Sequence, residues 1–235
     1  LISIFSLMRI VNYLLEEHPV HIWAFFFGLI LASVWLMAKQ IPKWNIKIFI
    51  GMVVGAAIAY YIVSLPPMVG SSSIGMGFLF LAGAIAICAM ILPGISGAFI
   101  LVLLGAYKPI IEAVNDFDLK TLGIFILGAV VGLLSFARVL KWLFDHYSTI
   151  TLAVLTGFIA GSLNKIWPWK KVLETEQYGD KVVILKEASV LPWNFEGEPY
   201  MFPASILMLT GVILILLLEG IANKKPIAVA ADQDF

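Results

Sequence analysis

Residues 48–107 contain no aspartate, glutamate, lysine, arginine or histidine, and this uncharged stretch constrains the fold more than any other feature. A single helix crosses a bilayer with about 20 apolar residues, so the stretch is far too long for one crossing. Over the whole chain, apolar residues make up 61% and charged residues 13%, against roughly 45–50% and 25% in soluble domains. We therefore expect an all-α polytopic membrane protein and exclude a cytosolic enzyme.

Charge balance and cysteine content exclude further classes of function. The 15 basic and 15 acidic side chains cancel, which disfavours a nucleic-acid partner because such a partner requires a basic excess. Cys88 is the only cysteine, so neither an intrachain disulfide nor a zinc cluster can be built. We expect no metal and no cofactor, and we expect bilayer lipids to surround the chain.

Charge-free runs and helix breakers divide the chain into membrane spans. Pro66-Pro67 and the glycine-serine loop at residues 70–73 split the uncharged stretch, which leaves residues 74–107 as a separate unit. The predicted spans are residues 1–15, 20–38, 46–65, 119–144, 149–166 and 201–222, with a soluble loop at 167–200 and a tail at 223–235.

The unit at residues 74–107 is interrupted by the sequence Pro-Gly-Ile-Ser-Gly at residues 93–97. Proline and glycine break helices, so one helix is expected to end near Leu92 and another to begin near Ser96. The second part, 98–107, is far too short to span. The pattern favours a re-entrant helical hairpin, since irregular backbone at membrane depth is tolerated only where protein or a water-filled cavity satisfies it.

Lysines predict the orientation, because cytoplasmic segments carry an excess of lysine and arginine. Three lysines at residues 39–47 follow the second span, and Lys224-Lys225 follow the last span. We expect both groups to face the cytoplasm, with the tail. The acidic loop at residues 112–118 and the loop at 167–200 then lie outside. This requires residues 74–107 either to enter and leave on one face or to cross twice.

Residues 2–34 align without a gap onto residues 131–163, at a shift of 129 that brings Arg9 onto Arg138. Further identities are Ser6 with Ser135 and Gly28 with Gly157. Two apolar helices can also resemble each other by composition alone. Arginine on arginine, with a helix-breaking turn at equal spacing, argues for a true internal repeat.

The predicted orientation makes the two repeats inverted, the arrangement from which many transporters build a site at mid-membrane. The remainder of the first repeat occupies residues 1–73 and the second repeat residues 74–222. Moving the break at 93–97 back by the same shift places its twin before Leu1. We therefore expect a preceding segment that carries a second Pro-Gly-x-Ser-Gly hairpin.

The break at residues 93–97 has the features of an anion site. A helix that begins at Ser96 points unpaired backbone N–H groups and the positive end of its dipole into the membrane interior. Gly94 and Gly97 permit close backbone approach, and Ser96 offers a hydroxyl, which suits a phosphate or carboxylate. The alternative is a proline kink in an ordinary span, with glycines for helix packing.

Arg9 and Arg138 each lie in an otherwise apolar helix, where a guanidinium is costly unless it meets water, a partner or headgroups. No acid lies one helical turn from Arg138, and the planar fork of donors suits a phosphate. The alternative is that Arg138 snorkels to the interface. Secondary candidates for the site are Ser6, Ser135, Lys108 and Glu112.

The sequence Pro-Gly-Ile-Ser-Gly-Ala-Phe at residues 93–99, with Leu-Gly-Ala-Tyr at 104–107, resembles a bacterial membrane family. This family was long catalogued as a domain of unknown function and is associated with PopT-like polyprenyl-phosphate translocases. Residues 2–39, with Trp-Ala-Phe-Phe-Phe-Gly-Leu-Ile at 23–30, are similar to the same family. Its members carry an early Pro-Gly-x-Ser-Gly-Gly hairpin, which is absent here.

The resemblance implies a transporter of the bacterial cytoplasmic (inner) membrane. Its substrate and partner would be undecaprenyl phosphate, a polyprenyl-phosphate lipid, returned from the outer to the inner leaflet to recycle the carrier of cell-wall precursors. Association into a homo-oligomer is left open. The residues assigned to phosphate hydrogen bonding are Gly94, Ser96 and Gly97, those assigned to charge neutralisation are Arg9 and Arg138, and Pro93 is assigned to the hairpin tip.

Two other functions remain open from the sequence. A membrane polyprenyl-diphosphate phosphatase also uses broken helices and an arginine, but it needs a nucleophile or base, and residues 48–107 contain no acid or histidine. A transporter of a small anion would use the same dipole and arginine. A membrane scaffold gives no reason for arginines inside apolar helices.

Overall fold

The computed structural model describes residues 9, 11, 13–15, 17–66, 75–178 and 181–222, which are mainly helical. The described helices are α1 (Pro19–Lys39), α2 (Ile46–Ser64), α3 (Met76–Ile91), α4 (Gly97–Leu103), α5 (Tyr107–Asn115), α6 (Leu119–Ser162) and α7 (Met201–Ala222). Among these, α1, α2, α6 and α7 are long and apolar enough to cross a membrane. The expectation of an all-α polytopic membrane protein is confirmed. Ser6 and the tail at 223–235 lie outside the described residues.

Helix α6 spans 44 residues and consists of two helices joined at a kink. Tyr147 has non-helical backbone angles, φ −136° and ψ 41°. The Thr151 hydroxyl lies within hydrogen-bonding distance of two carbonyl oxygens there, at 2.9 Å from that of Tyr147 and 3.2 Å from that of Leu143. The hydroxyl thereby provides a hydrogen-bond donor for backbone carbonyl oxygens at the point where the helix is interrupted. The parts before and after Tyr147 are called the first and second halves of α6.

The second half of α6 packs against α2 through backbone contacts at glycines. A side chain at Gly157 would collide with the carbonyl oxygen of Met52, and one at Gly55 would collide with that of Val154. In lipid there is no hydrophobic driving force between helices, so close packing at small residues holds transmembrane helices together. These glycines therefore fix how closely the two helices approach.

Helices α1 and α7 repeat the same contacts. A side chain at Gly28 would collide with the carbonyl oxygen of Met208, and one at Gly211 would collide with that of Phe25. Each of these contacts has an equivalent in the pair of α2 and α6. The shift of 129 relates Gly28 to Gly157 and Phe25 to Val154. A shift of 156 relates Met52 to Met208 and Gly55 to Gly211. The two helix pairs thus share one pattern of backbone contacts.

The second half of α6 runs parallel to α2. Gly51 lies beside Ile150 near the start of the pair, and Ala59 lies beside Gly161 near its end. Residue numbers therefore rise together along both helices.

Helix α3 packs in the same parallel sense on the first half of α6. A side chain at Gly128 would collide with the carbonyl oxygen of Phe80, and one at Gly132 would lie 2.6 Å from the Cα of Ala84. Since α3 and α6 begin at the same end of this pair, residues 92–118 must carry the chain back along α3.

The return path contains the Pro-Gly break and a second bend. Helix α3 ends at Ile91 and α4 begins at Gly97, as the sequence predicts. The expectation of a second helix over 98–107 is wrong, because α4 ends at Leu103 and the axis turns by 109° into α5. Gly105 lies at this bend with φ +67°, a conformation that glycine adopts without steric cost.

Residues 167–200, predicted as a loop, contain an antiparallel hairpin of β1 (Lys170–Tyr178) and β2 (Lys181–Ser189). Trp169 precedes the hairpin and is buried between α1 and α7. Its indole Nε1 donates a hydrogen bond to the carbonyl oxygen of Pro199, at 2.8 Å. The β-hairpin is therefore anchored to α1 and α7 at the start of β1.

The variant Gly157→Leu is expected to unfold at a lower temperature than the parent protein, because overpacking costs about 1–3 kcal/mol and the obstacle here is backbone. Gly123→Leu in the same helix is the matched control, since nothing lies within 4 Å of a side chain at that position. Thermal melting in detergent, followed by circular dichroism, compares the two. Equal melting temperatures would contradict the packing described for α2 and α6.

Candidate functional site

The tip of the helical hairpin, residues 92–96, contains a position that accepts only glycine. Gly94 has φ +89°, and a side chain there would collide with the hydroxyl of Ser162 at the end of α6. That hydroxyl donates to the carbonyl oxygen of Ile159, at 2.8 Å. Both the backbone conformation and the available space therefore require glycine at the turn.

Ile95 anchors the tip in the apolar interior. Its side chain is buried in a cluster with Ala59 of α2, Phe158 of α6, and Ala89 and Ile100 of the hairpin itself. Phe158 lies near the middle of the span predicted at residues 149–166. The break in the helix is thus packed through Ile95 against the second half of α6, while Gly94 and Ser96 are exposed.

The two arms of the hairpin approach closely at Gly97. A side chain at this position would lie 2.6 Å from the Cγ of Met90 and 3.0 Å from the carbonyl oxygen of Ala86. Gly97 is buried, while Pro93 at the turn is half-buried. Gly97 is therefore required for packing between the arms, in addition to the role in phosphate binding that its sequence context predicts.

Ser96 offers a hydroxyl at the tip. It stands at the N-terminal cap of α4 with extended backbone angles, φ −90° and ψ 133°, and its side chain makes no capping hydrogen bond. The residue is exposed. Helix α4 has seven residues, fewer than predicted, so the helix dipole contributes less to this site than the sequence indicated, and the hydroxyl becomes the more important group.

Arg9 and Arg138 are both helical and exposed. Within the described residues, no hydrogen bond or ion pair joins either guanidinium to the tip. The contacts of α3 with the first half of α6 pair residues 48 positions apart, Phe80 with Gly128 and Ala84 with Gly132. Continued along the two helices, this register puts Arg138 level with Met90, in the last turn of α3.

The secondary candidates lie on other surfaces. Ser135 is exposed on the first half of α6, one turn from Arg138. Lys108 and Glu112 lie on α5, where Glu112 was expected in a loop, and their charged groups are 3.9 Å apart with more than half of each side chain exposed. Such an exposed pair contributes little to stability.

A cation that the sequence did not predict for the site lies against the helical hairpin. Lys165 follows α6, and its Nζ is 4.7 Å from the centre of the Phe99 ring, one helical turn after Ser96. The same Nζ is 2.8 Å from a carboxylate oxygen of Glu187 on β2. A lysine at the end of a predicted span is ordinary at a membrane interface, and nothing in the sequence brings Glu187 to it.

Lys170 completes this cluster. Its Nζ is also 2.8 Å from Oε1 of Glu187, and it donates a hydrogen bond to the backbone carbonyl of Lys165. Burial lowers the pKa of Lys170, although the hydrogen bond and negative charge of Glu187 oppose this change. Burial alone would raise the pKa of Glu187, but the hydrogen bonds from Lys165 and Lys170 outweigh it and hold the pKa below its ordinary value.

Comparison with known proteins identifies relatives of this chain. A family model described as VCA0040-like, undecaprenyl phosphate translocase-like, matches residues 1–182. A protein of Vibrio cholerae serotype O1 named polyprenyl-phosphate transporter is 44% identical over 229 residues, covering 94% of this chain and 73% of that protein. A Staphylococcus aureus protein of the same name is 29% identical over 185 residues, covering 72% of this chain and 65% of that protein. No solved structure shows a significant match.

The variant Gly94→Ala is expected to lower the free energy of unfolding by about 1–3 kcal/mol, because alanine must adopt a left-handed conformation, and to lower it further through the collision with Ser162. Adding Ser162→Gly should recover part of the loss by removing the collision alone. Gly75→Ala is the control, since nothing lies within 4 Å of a side chain there. A melting temperature of Gly94→Ala equal to that of the control would refute this account of the tip.

Proposed function

This chain belongs to the VCA0040-like family of undecaprenyl phosphate translocase-like proteins, and on that premise we propose that it moves polyprenyl phosphate between the leaflets of a bacterial cytoplasmic membrane. Both relatives compared above are named polyprenyl-phosphate transporters. We propose further that the substrate is undecaprenyl phosphate, and that it moves from the outer to the inner leaflet for reuse in envelope synthesis. The relatives' names set aside the phosphatase alternative.

One observation carries the proposal: the break between α3 and α4 packs through Ile95 against α2 and α6 and leaves the Ser96 hydroxyl exposed and without a capping hydrogen bond. A polyprenyl chain can remain in lipid throughout, so only its phosphate needs a polar route. Polar groups inside a membrane are costly and usually functional. On this proposal Pro93 and Gly94 form the tip, and Ser96 and Gly97 hydrogen-bond the phosphate.

Arg138 is the proposed partner for the phosphate charge. Its register with Met90 puts it level with the last turn before the tip, and no described acid pairs with it. A guanidinium binds a phosphate through two parallel hydrogen bonds, which are stronger than bonds between neutral groups. Arg9 holds the corresponding position in the first repeat and is proposed to act in the same way.

The proposed route across the membrane depends on inverted repeats. Helices α1 and α2 are joined by residues 40–45 and therefore cross in opposite directions. The second half of α6 is parallel to α2, so it is antiparallel to α1, its partner in the sequence alignment. This geometry supports a pair of inverted repeats. We propose that their rocking exposes the phosphate to each side in turn, with the β-hairpin on the outer side.

Arg138→Ala is expected to reduce transport by about tenfold to a hundredfold, since hydrogen bonds to charged groups contribute about 1.5–3 kcal/mol. Arg138→Lys should also lose most activity, because an ammonium cannot form the paired bonds. Lys141→Gln, an exposed position one turn further along α6, is the control and should transport normally. The measurement is leaflet-resolved detection of labelled undecaprenyl phosphate in proteoliposomes.

Two results would count against the proposal. Full transport by both Arg138 variants, with normal folding and insertion, would remove the phosphate role of this residue. Uptake of soluble inorganic phosphate by the parent protein, without any movement of the lipid, would favour the small-anion transporter instead.

A further inference from the structure

We propose that Lys165 and Lys170, with Glu187 as an exchangeable counter-ion, form a docking site for a phosphate group beside the hairpin. The phosphate binds the two ammonium groups in place of the Glu187 carboxylate and then passes to the tip. The chemistry fits any phosphate anion. That it is the headgroup of a polyprenyl phosphate rests on the proposed function.

The cluster carries more positive than negative charge. Both ammonium groups share the same carboxylate oxygen, Oε1 of Glu187, so two cations face one anion. The side chains of Lys165, Lys170 and Glu187 are 37%, 12% and 20% exposed. The Lys170 ammonium is far enough from water to require a partner, and it shares that partner with Lys165, because no second carboxylate contacts either lysine among the side chains that the structure describes. The surplus charge is satisfied when an anion binds.

The surroundings strengthen the attraction for an anion. Each lysine lies beside one aromatic ring: Lys165 lies over Phe99, and the Nζ of Lys170 is 5.1 Å from the centre of the Trp23 ring. Low-dielectric walls of this kind increase the interaction between charges. Burial, together with the positive charge of Lys165, lowers the pKa of Lys170 against the opposing hydrogen bond and charge of Glu187.

The position of the cluster connects it with the tip. Phe99 lies on α4 one helical turn after Ser96, so a phosphate held at Lys165 is adjacent to the arm of the hairpin that carries the proposed transport site. The residual exposure of Lys165 leaves this lysine, more than Lys170, open to an arriving headgroup. The site is therefore suited to capture a phosphate before it enters the membrane interior.

A purely structural ion cluster, which only fastens β2 to the end of α6, makes the opposite prediction for one substitution. If the cluster is structural, Glu187→Gln removes a bond and gains nothing from added phosphate. If the cluster binds phosphate, the same variant loses the competing carboxylate. Inorganic phosphate then binds it several-fold more tightly and restores its stability.

The test is thermal melting of the full chain in detergent, in sodium phosphate and in sodium chloride of equal ionic strength. We expect phosphate to raise the melting temperature of the parent protein, and to raise that of Glu187→Gln by more. Lys165→Gln should bind phosphate about tenfold more weakly, as expected for the loss of a charged hydrogen bond, whereas Lys165→Arg should keep most of the effect.

Lys171→Gln is the matched control, because Lys171 on β1 also pairs with a glutamate, Glu196, but with more of both side chains exposed. It should keep the full phosphate effect. No phosphate effect in the parent protein and in Glu187→Gln would overturn the proposal, and so would an equal loss in Lys171→Gln and Lys165→Gln.

A second measurement identifies the source of the phosphate. Proteoliposomes containing labelled polyprenyl phosphate, with phosphatidylglycerol vesicles of equal surface charge as reference, report transport against lipid concentration. Lys165→Gln should raise the concentration for half-maximal rate by about tenfold and leave the maximal rate nearly unchanged. A fall in maximal rate alone would overturn the docking role. If the lipid is not moved but the melting effect persists, the proposed function fails and the anion site stands.

Discussion

Contact between helix backbones at glycine is the constraint on which this structure depends. Lipid chains are as apolar as the side chains they touch, so helices gain little from burying apolar surface against each other. In three helix pairs a carbonyl or Cα of one helix instead occupies the space that a side chain would take on the other. At the hairpin tip, Gly94 leaves space for a side-chain group instead, the hydroxyl of Ser162. A broken helix can be accommodated at this depth because its neighbours approach closely enough to enclose it.

The helices of the two matching pairs are joined by connections of very different length. Helices α1 and α2 are joined by the short connection at residues 40–45, whereas the second half of α6 reaches α7 through residues 163–200. The long connection folds into the β-hairpin and buries Trp169 between α1 and α7. It also supplies Lys170 and Glu187 to the cluster beside α4. The charged cluster therefore comes from this connection and not from the helix packing that the two pairs share.

Local rules predicted those features of the fold that depend on neighbouring residues. Proline and glycine break helices, so the sequence at residues 93–97 predicted both the end of α3, at Ile91, and the start of α4, at Gly97. The bend at Gly105 was not predicted, because an isolated glycine gives no indication that packing will force it to a positive φ. The repeat alignment identified Gly28 and Gly157 as equivalent, but their partners on α7 and α2 depend on tertiary structure.

The charged cluster is the part of the candidate site that could not be predicted from the sequence. Lys165 and Glu187 are 22 residues apart and meet only because β2 pairs with β1 and returns to the end of α6. No sequence spacing encodes that return. The arginines were found because a guanidinium in an apolar helix is conspicuous, whereas a lysine at the end of a span is ordinary.

The two groups of cations differ in a way that suits successive steps of one route. At the partly exposed cluster, phosphate can exchange for the Glu187 carboxylate, so the number of charges removed from water changes little. In the proposed tip site, no described acid pairs with Arg138, and the phosphate itself becomes the counter-ion. A resident carboxylate there would have to be displaced within the membrane, where an unpaired charge is most costly. Exchange near water followed by capture at an unpaired guanidinium avoids that cost and leaves the phosphate free to depart on the other side.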